Sequence, residues 1–229
     1  MKEKNYNLEL IRMISFIFVI VIHVSNYYCR AYGDITIGEY SFSLLLNLLA
    51  RISVPCFFMI TGALLLGRQE SLHKHAKRIF RFLIVVWSVI YMIWNAVYME
   101  DPYQIKDLLY KPVEQHLWYL YAMIPIYLVL PFFQVMCKGM NLRMERAFLV
   151  VITAAVLFNY ISTFFDEKMY YSVPMVGDRI YSYYVFIGYY LYKYRKHVMK
   201  GKMIPAGIFV VCMALNYGLT YAATLQDGE

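Results

Sequence analysis

The chain has 229 residues, of which 61% are hydrophobic and 16% charged, whereas soluble domains sit near about 45–50% and about 25%. The apolar excess falls in blocks of membrane-spanning length, which excludes a soluble globular domain and predicts an all-α polytopic membrane protein. The net charge of +7 does not point to nucleic acid. Lys and Arg gather in alternate loops, as the membrane imposes, and no basic surface interleaved with aromatic residues is left over.

Seven spans are predicted, at about 8–28, 42–66, 79–99, 117–136, 147–165, 179–194 and 204–223. The sixth is short and polar. Lys2 and Lys4 would suit a signal peptide, but Arg12 interrupts the apolar run and no small-residue cleavage site follows. The first span is therefore read as a permanent helix. With the N-terminus in the cytoplasm, loop 67–81 (Arg68, Lys74, Lys77, Arg78, Arg81), loop 137–146 (Lys138, Arg143, Arg146) and the segment after span six (Lys193, Arg195, Lys196, Lys200, Lys202) fall inside. In the opposite loops Glu100, Asp101, Asp107 and Glu114 outnumber Lys106 and Lys111, and Asp166, Glu167 and Asp178 outnumber Lys168. Every internal loop obeys the positive-inside rule.

Span one carries Glu9, Arg12 and His23. Arg12 and His23 are eleven residues apart; at about 100° per residue they return to within roughly 20° of one face, some 16 Å along the axis. Ionisable side chains at such depth are expensive and usually face a protein interior or a watery cavity. Glu9, one turn before Arg12, shares the stripe.

Span two contains Arg51-Ile52-Ser53-Val54-Pro55-Cys56-Phe57-Phe58-Met59-Ile60-Thr61-Gly62. Pro55 cannot donate to the carbonyl of Arg51, so a kink and a free acceptor are expected beside a buried charge. Arg51 either lines the same polar cavity as span one or forms a structural ion pair or snorkels. At the cytoplasmic start of span three, Lys74, Arg78 and Arg81 follow i, i+4, i+7 spacing and share one face. Such a face offers planar guanidinium forks to phosphate oxygens; a purely topogenic cluster near anionic headgroups is the alternative.

Span four opens with His116-Leu117-Trp118-Tyr119-Leu120. Its aromatic residues suit an interfacial belt, while His116 sits at the depth of His23. Nine of the 24 tyrosines crowd into 170–194, mostly as interfacial packing. Cys29, Cys56, Cys137 and Cys212 have no CxxC spacing, so they predict neither a disulfide framework nor a metal site. Nucleophile-elbow, P-loop and dinucleotide motifs are absent from the sequence, and any chemistry falls to His, Arg, Glu and Tyr.

Arg-x10-His (Arg12, His23), Arg-x-x-Val-Pro-x-Phe-Phe-x-x-x-Gly (Arg51 to Gly62), Arg-x-x-Arg (Arg78, Arg81) and His-Leu-Trp-Tyr-Leu together resemble acyltransferase family 3 over roughly residues 5–135. The resemblance implies a membrane O-acyltransferase that moves an acetyl group from cytoplasmic acetyl-CoA to an extracytoplasmic hydroxyl, such as that of a cell-surface carbohydrate. It also implies a bacterial inner or plasma membrane as location. His23 would be the catalytic base, Arg78 and Arg81 with Lys74 would hold the CoA phosphates, and Arg12 would serve the polar core of the pore. Arg51 or His116 would supply donors to a developing oxyanion. Members often carry Asp where this chain has Glu9. Members also have about ten spans, so residues 1–229 are expected to be a single domain incomplete at its C-terminus. The alternative is a transporter of a small molecule such as serine, because membrane domains attached to serine racemases resemble the same family.

Overall fold

The computed structural model describes residues 5–68, 72–78, 89–98, 112, 118–164, 180–198 and 203–227. They form ten helices: α1 (Tyr6–Cys29), α2 (Ile37–Ala50), α3 (Ser53–Leu65), α4 (Leu72–Arg78), α5 (Val89–Tyr98), α6 (Trp118–Gly139), α7 (Leu142–Phe164), α8 (Tyr181–Lys193), α9 (Arg195–Val198) and α10 (Met203–Asp227). The chain divides into two compact units. One holds the residues up to Ala63 and from Tyr184 onward; the other holds Leu64–Tyr183.

In the first unit α1 and α2 form an antiparallel hairpin. Its turn closes through Gly33, whose φ of 95° is disfavoured for residues bearing a Cβ. Helix α2 starts at a reciprocal cap: the Glu39 amide donates to Thr36 Oγ1 at 3.3 Å, and the Thr36 amide donates to Glu39 Oε2 at 2.9 Å. Four residues apart along α2, Tyr40, Leu44 and Leu48 are buried with Cys29, Tyr32, Ile35, Met213, Tyr217 and Tyr221 packed on them. That stripe seats α10 against α2. At the other end of α1, Asn5 Nδ2 donates to the Tyr192 hydroxyl at 3.3 Å.

Helices α3 and α8 cross in near backbone contact. A Cβ on Gly62 would run into the carbonyl of Val185, and a Cβ on Gly188 would run into the backbone of Met59. Each helix contributes one glycine to the other's backbone, the small-residue packing that membrane helices use where apolar burial offers little. Phe58, Val185 and Phe186 are fully buried in this unit.

In the second unit the Leu65 carbonyl accepts from Gln134 Nε2 at 2.8 Å, which ties the end of α3 to the last turns of α6, and α4 packs on α6. Trp118 and Tyr181 place their rings 5.8 Å apart. Pro125 and Pro131 lie inside α6 without ending it. Asn141 caps α7 through its side chain, accepting from the Met144 amide at 3.0 Å.

Among the described residues the structure is all-helical, and five helical segments are long and apolar enough to cross a membrane: Tyr6–Cys29, Ile37–Leu65, Tyr121–Gly139, Leu142–Ser162 and Met203–Gln226. Only Val89–Tyr98 of the expected third span falls within the described residues. The expected sixth span corresponds to α8, whose 13 residues reach about 20 Å against a hydrocarbon core of about 30 Å. No residue in the apolar stretch of α10 is fully buried, as suits a helix that faces lipid over most of its surface. The contacts also pair helix ends. In the first unit the start of α1 meets the end of α8, and the start of α2 meets the end of α10. In the second, the end of α3 meets the end of α6.

Candidate functional site

Arg12 is satisfied within its own helix. Its Nη1 donates to both carboxylate oxygens of Glu9 at 2.9 Å, in a pair spaced i, i+3 whose side chains are 42% and 49% exposed. The acidic residue precedes the basic one in the first turn of α1, where the helix dipole favours it. His23 lies on the same unbroken helix, exposed at the edge of the packed stripe. At about 100° per residue it falls roughly 40° from Val19 and roughly 60° from Asn26, both partly buried. Glu9 and Arg12 therefore form one pair near one end of α1, about 16 Å (Arg12) and about 21 Å (Glu9) along the axis from His23.

The second centre is built on α2. The helix stops at Ala50, Arg51 and Ile52 form a turn, and α3 begins at Ser53. This break lies four residues before Pro55, whose missing N–H leaves the Arg51 carbonyl without its helical donor. The sequence predicts a kink beside a buried charge; the helix is interrupted there by a two-residue turn, but Arg51 is exposed. Its charge stands at the negative end of the α2 dipole as the C-cap residue.

Arg51 is held by a neutral partner. Its Nε donates to Asn47 Oδ1 at 2.9 Å. Asn47, 2% exposed, donates through Nδ2 to Ser25 Oγ at 3.1 Å and to the Ile22 carbonyl at 3.4 Å. Ser25 in turn donates to the Val21 carbonyl at 2.7 Å. A buried polar line thus runs from Arg51 across to α1. The only ion pair among the described residues is Glu9–Arg12, so no described carboxylate balances Arg51.

The hairpin register sets relative depth. Tyr32 packs against Tyr40 with ring centroids 4.8 Å apart, and Ser25 meets Asn47. Continuing that antiparallel register puts Arg51 level with Val21, two residues from His23, or about 3 Å along the axis. Arg51 and His23 are therefore at one depth on adjoining helices, and Arg12 is not.

An open apolar cleft of about 400 Å³ lies beside the line, formed by Ile20, Val21, Val24, Ser25 and Tyr28 of α1 with Glu39, Phe42, Ser43 and Leu46 of α2. In the other unit Lys74 is exposed on α4, and Arg78, four residues on, closes that helix. Arg81 and His116 lie outside the described residues.

Several polar residues escaped the sequence reading. Asn47 and Ser25 are polar residues amid apolar ones, a signal that was present, but their pairing across 22 positions was not readable. Ser53, fully buried at the break, has no hydrogen-bond partner for Oγ among the described residues. Glu145, 2% exposed in the first turn of α7, and Gln134, 5% exposed, are the buried polar side chains among the described residues of the second unit.

An imidazole at the depth of a guanidinium that no described carboxylate compensates is an arrangement suited to transfer chemistry in which negative charge builds on oxygen. A family profile described as an acyltransferase domain matches residues 5–227. No curated protein and no solved structure matches the chain.

Proposed function

The chain belongs to acyltransferase family 3, a multi-pass membrane protein by its five spanning segments, and on that premise we propose that it is an O-acyltransferase of the cell membrane. It takes an acetyl group from cytoplasmic acetyl-CoA and passes it to a hydroxyl on the outer side, with a cell-surface carbohydrate as the acceptor class. The observation that carries this reading is the level placement of His23 and Arg51 on antiparallel helices, with Arg51 unpaired to any described carboxylate.

Each residue has a physical task. His23 takes the proton of the attacking hydroxyl through its imidazole nitrogen. Arg51 directs its terminal nitrogens at the oxyanion that forms as the hydroxyl adds to the thioester carbonyl. Collapse of that adduct expels the CoA thiolate, which takes up a proton. Glu9 keeps Arg12 compensated, so Arg12 lends polarity to the inner half of the path without a stray charge in lipid. Lys74, Arg78 and Arg81 fit the donor's anionic end by chemistry and spacing, since guanidinium forks bind phosphate oxygens bidentately. His116 is a second donor for the oxyanion.

The decisive experiment reconstitutes the purified chain in lipid nanodiscs and follows radiolabel from acetyl-CoA to a hydroxylated carbohydrate acceptor. Transfer that disappears in His23→Ala supports the reading. No binding of acetyl-CoA, together with uptake of serine by proteoliposomes, overturns it in favour of a transporter.

A further inference from the structure

Arginine in a spanning segment is ordinarily neutralised by a carboxylate, because an isolated charge there is costly. Arg51 is instead gripped by an amide. Asn47 is spent in three directions: Oδ1 accepts from Arg51 Nε, and Nδ2 donates to Ser25 Oγ and to the Ile22 carbonyl. Those two contacts to α1 leave the amide one orientation, since flipping it would set its oxygen against the Ile22 carbonyl and its NH2 against Arg51 Nε, a donor facing a donor.

The choice of Nε matters. A guanidinium has five N–H donors in a rigid plane, one on Nε and four on the two terminal nitrogens. Holding Nε fixes the plane and leaves the terminal fork whole. A carboxylate in the same place would also cancel the charge, whereas a neutral amide orients it and keeps it available. The grip comes from within the membrane-buried hairpin, and Arg51 stands just where α2 has ended, so without it the side chain would swing freely.

We propose that Asn47 is a positioning residue which fixes the Arg51 guanidinium through Nε and ties it to α1 through Ser25, presenting the terminal fork to an oxyanion at the depth of His23. The proposal rests on the acyltransferase reading for what the fork binds, but the clamp itself does not depend on it.

Two measurements separate these. The first is a double-mutant cycle in acetyl transfer with Asn47→Leu, Arg51→Lys and the double variant. Asn47→Leu lowers kcat roughly ten- to a hundredfold, less than the about 10²–10³ lost with a whole oxyanion donor, and leaves the KM for acetyl-CoA within about twofold. The double variant is no worse than Arg51→Lys, because Lys has no Nε–H in that geometry to be held. Losses that multiply, or a wild-type kcat in Asn47→Leu, overturn the proposal. If Asn47→Leu does not insert, Asn47→Asp takes its place: it keeps the acceptor, cancels the charge and lowers kcat.

The second readout needs no activity. In ¹⁵N-arginine-labelled protein, the Nε–H signal that vanishes in Arg51→Lys belongs to Arg51. It is expected to move and exchange faster in Asn47→Leu and to stay put in Ser43→Ala. A signal unchanged in Asn47→Leu overturns the clamp. A clamp present in a wild type that transfers no acetyl group overturns the acyltransferase reading alone.

Discussion

The hydroxyl of Tyr40 and Oγ1 of Thr224 meet at 2.7 Å across 184 residues of sequence, so the beginning of α2 is fastened to the end of α10 at a single polar point. Around it the Tyr40 ring lies 6.0 Å from that of Tyr221, which stacks on Tyr217 at an interplanar angle of 11°. Elsewhere α10 faces outward, so this cluster is its anchorage. Tyr40→Phe is expected to lower stability by about 0.6 kcal/mol, the average for an interhelical hydrogen bond in a membrane protein, and by no more than about 1.7. Thermal unfolding in detergent measures it, with Thr224→Val giving the same loss and the pair no further loss.

The crossing of α3 and α8 allows no added methyl group. Gly62→Ala and Gly188→Ala each force backbones apart and are expected to cost about 1–3 kcal/mol, as overpacking does. Gly38 has nothing within 4 Å of its would-be Cβ, so Gly38→Ala in the helix is neutral or stabilising by up to about 1 kcal/mol. Unfolding midpoints of the three variants decide, and equal midpoints would show that the crossing tolerates a wider spacing.

His23→Ala is expected to reduce acetyl transfer by about 10²–10⁴, the usual worth of a general base. Its amount in the membrane should not change, because His23 is exposed on α1. Turnover and quantified membrane protein are measured on the same preparations. Unaltered turnover would leave His23 without a chemical task.

Arg78→Lys combined with Arg81→Lys keeps the charge and the loop-charge bias but replaces planar forks with point charges. Affinity for acetyl-CoA, measured at fixed salt by titration, is expected to fall. Equal affinity in the double variant would reduce these residues to a topogenic role, since orientation counts Lys and Arg alike.

From the loop charges, 67–81 and 137–146 are expected in the cytoplasm. In a background lacking Cys29, Cys56, Cys137 and Cys212, an impermeant thiol reagent added to intact cells should label Asp34→Cys and spare Arg68→Cys. The reverse pattern would invert the whole protein and the direction of transfer with it.

Spans were legible where an apolar run is bounded by polar residues. The first, expected at 8–28, is Tyr6–Cys29, and the last, expected at 204–223, is Met203–Asp227. Where helices run past the hydrocarbon, hydropathy stops too early: α2 begins at Ile37 rather than 42 because Thr36 and Glu39 cap it. Helix α7 likewise begins at Leu142 rather than 147 because Asn141 caps it. Of the candidate site, the face shared by Arg12 and His23 follows from periodicity alone. What holds Arg51 does not, because Asn47 has to meet Ser25 on another helix, and only the turn at Gly33 with the register it sets brings them together.

The Glu9–Arg12 pair has a consequence for how the protein is made. Helix α1 reaches the membrane before the helices that follow it exist to satisfy it. Because the counter-ion of Arg12 is one turn away on α1 itself, that helix can leave the ribosome and enter lipid as a near-neutral segment. The next arginine inside a spanning segment, Arg51, arrives with Asn47 already synthesised and Ser25 already in place. The polar groups of the first hairpin can thus be satisfied in the order in which they are translated. Removing Glu9 would expose its defect during synthesis, as failed or inverted insertion, before folding or catalysis begins.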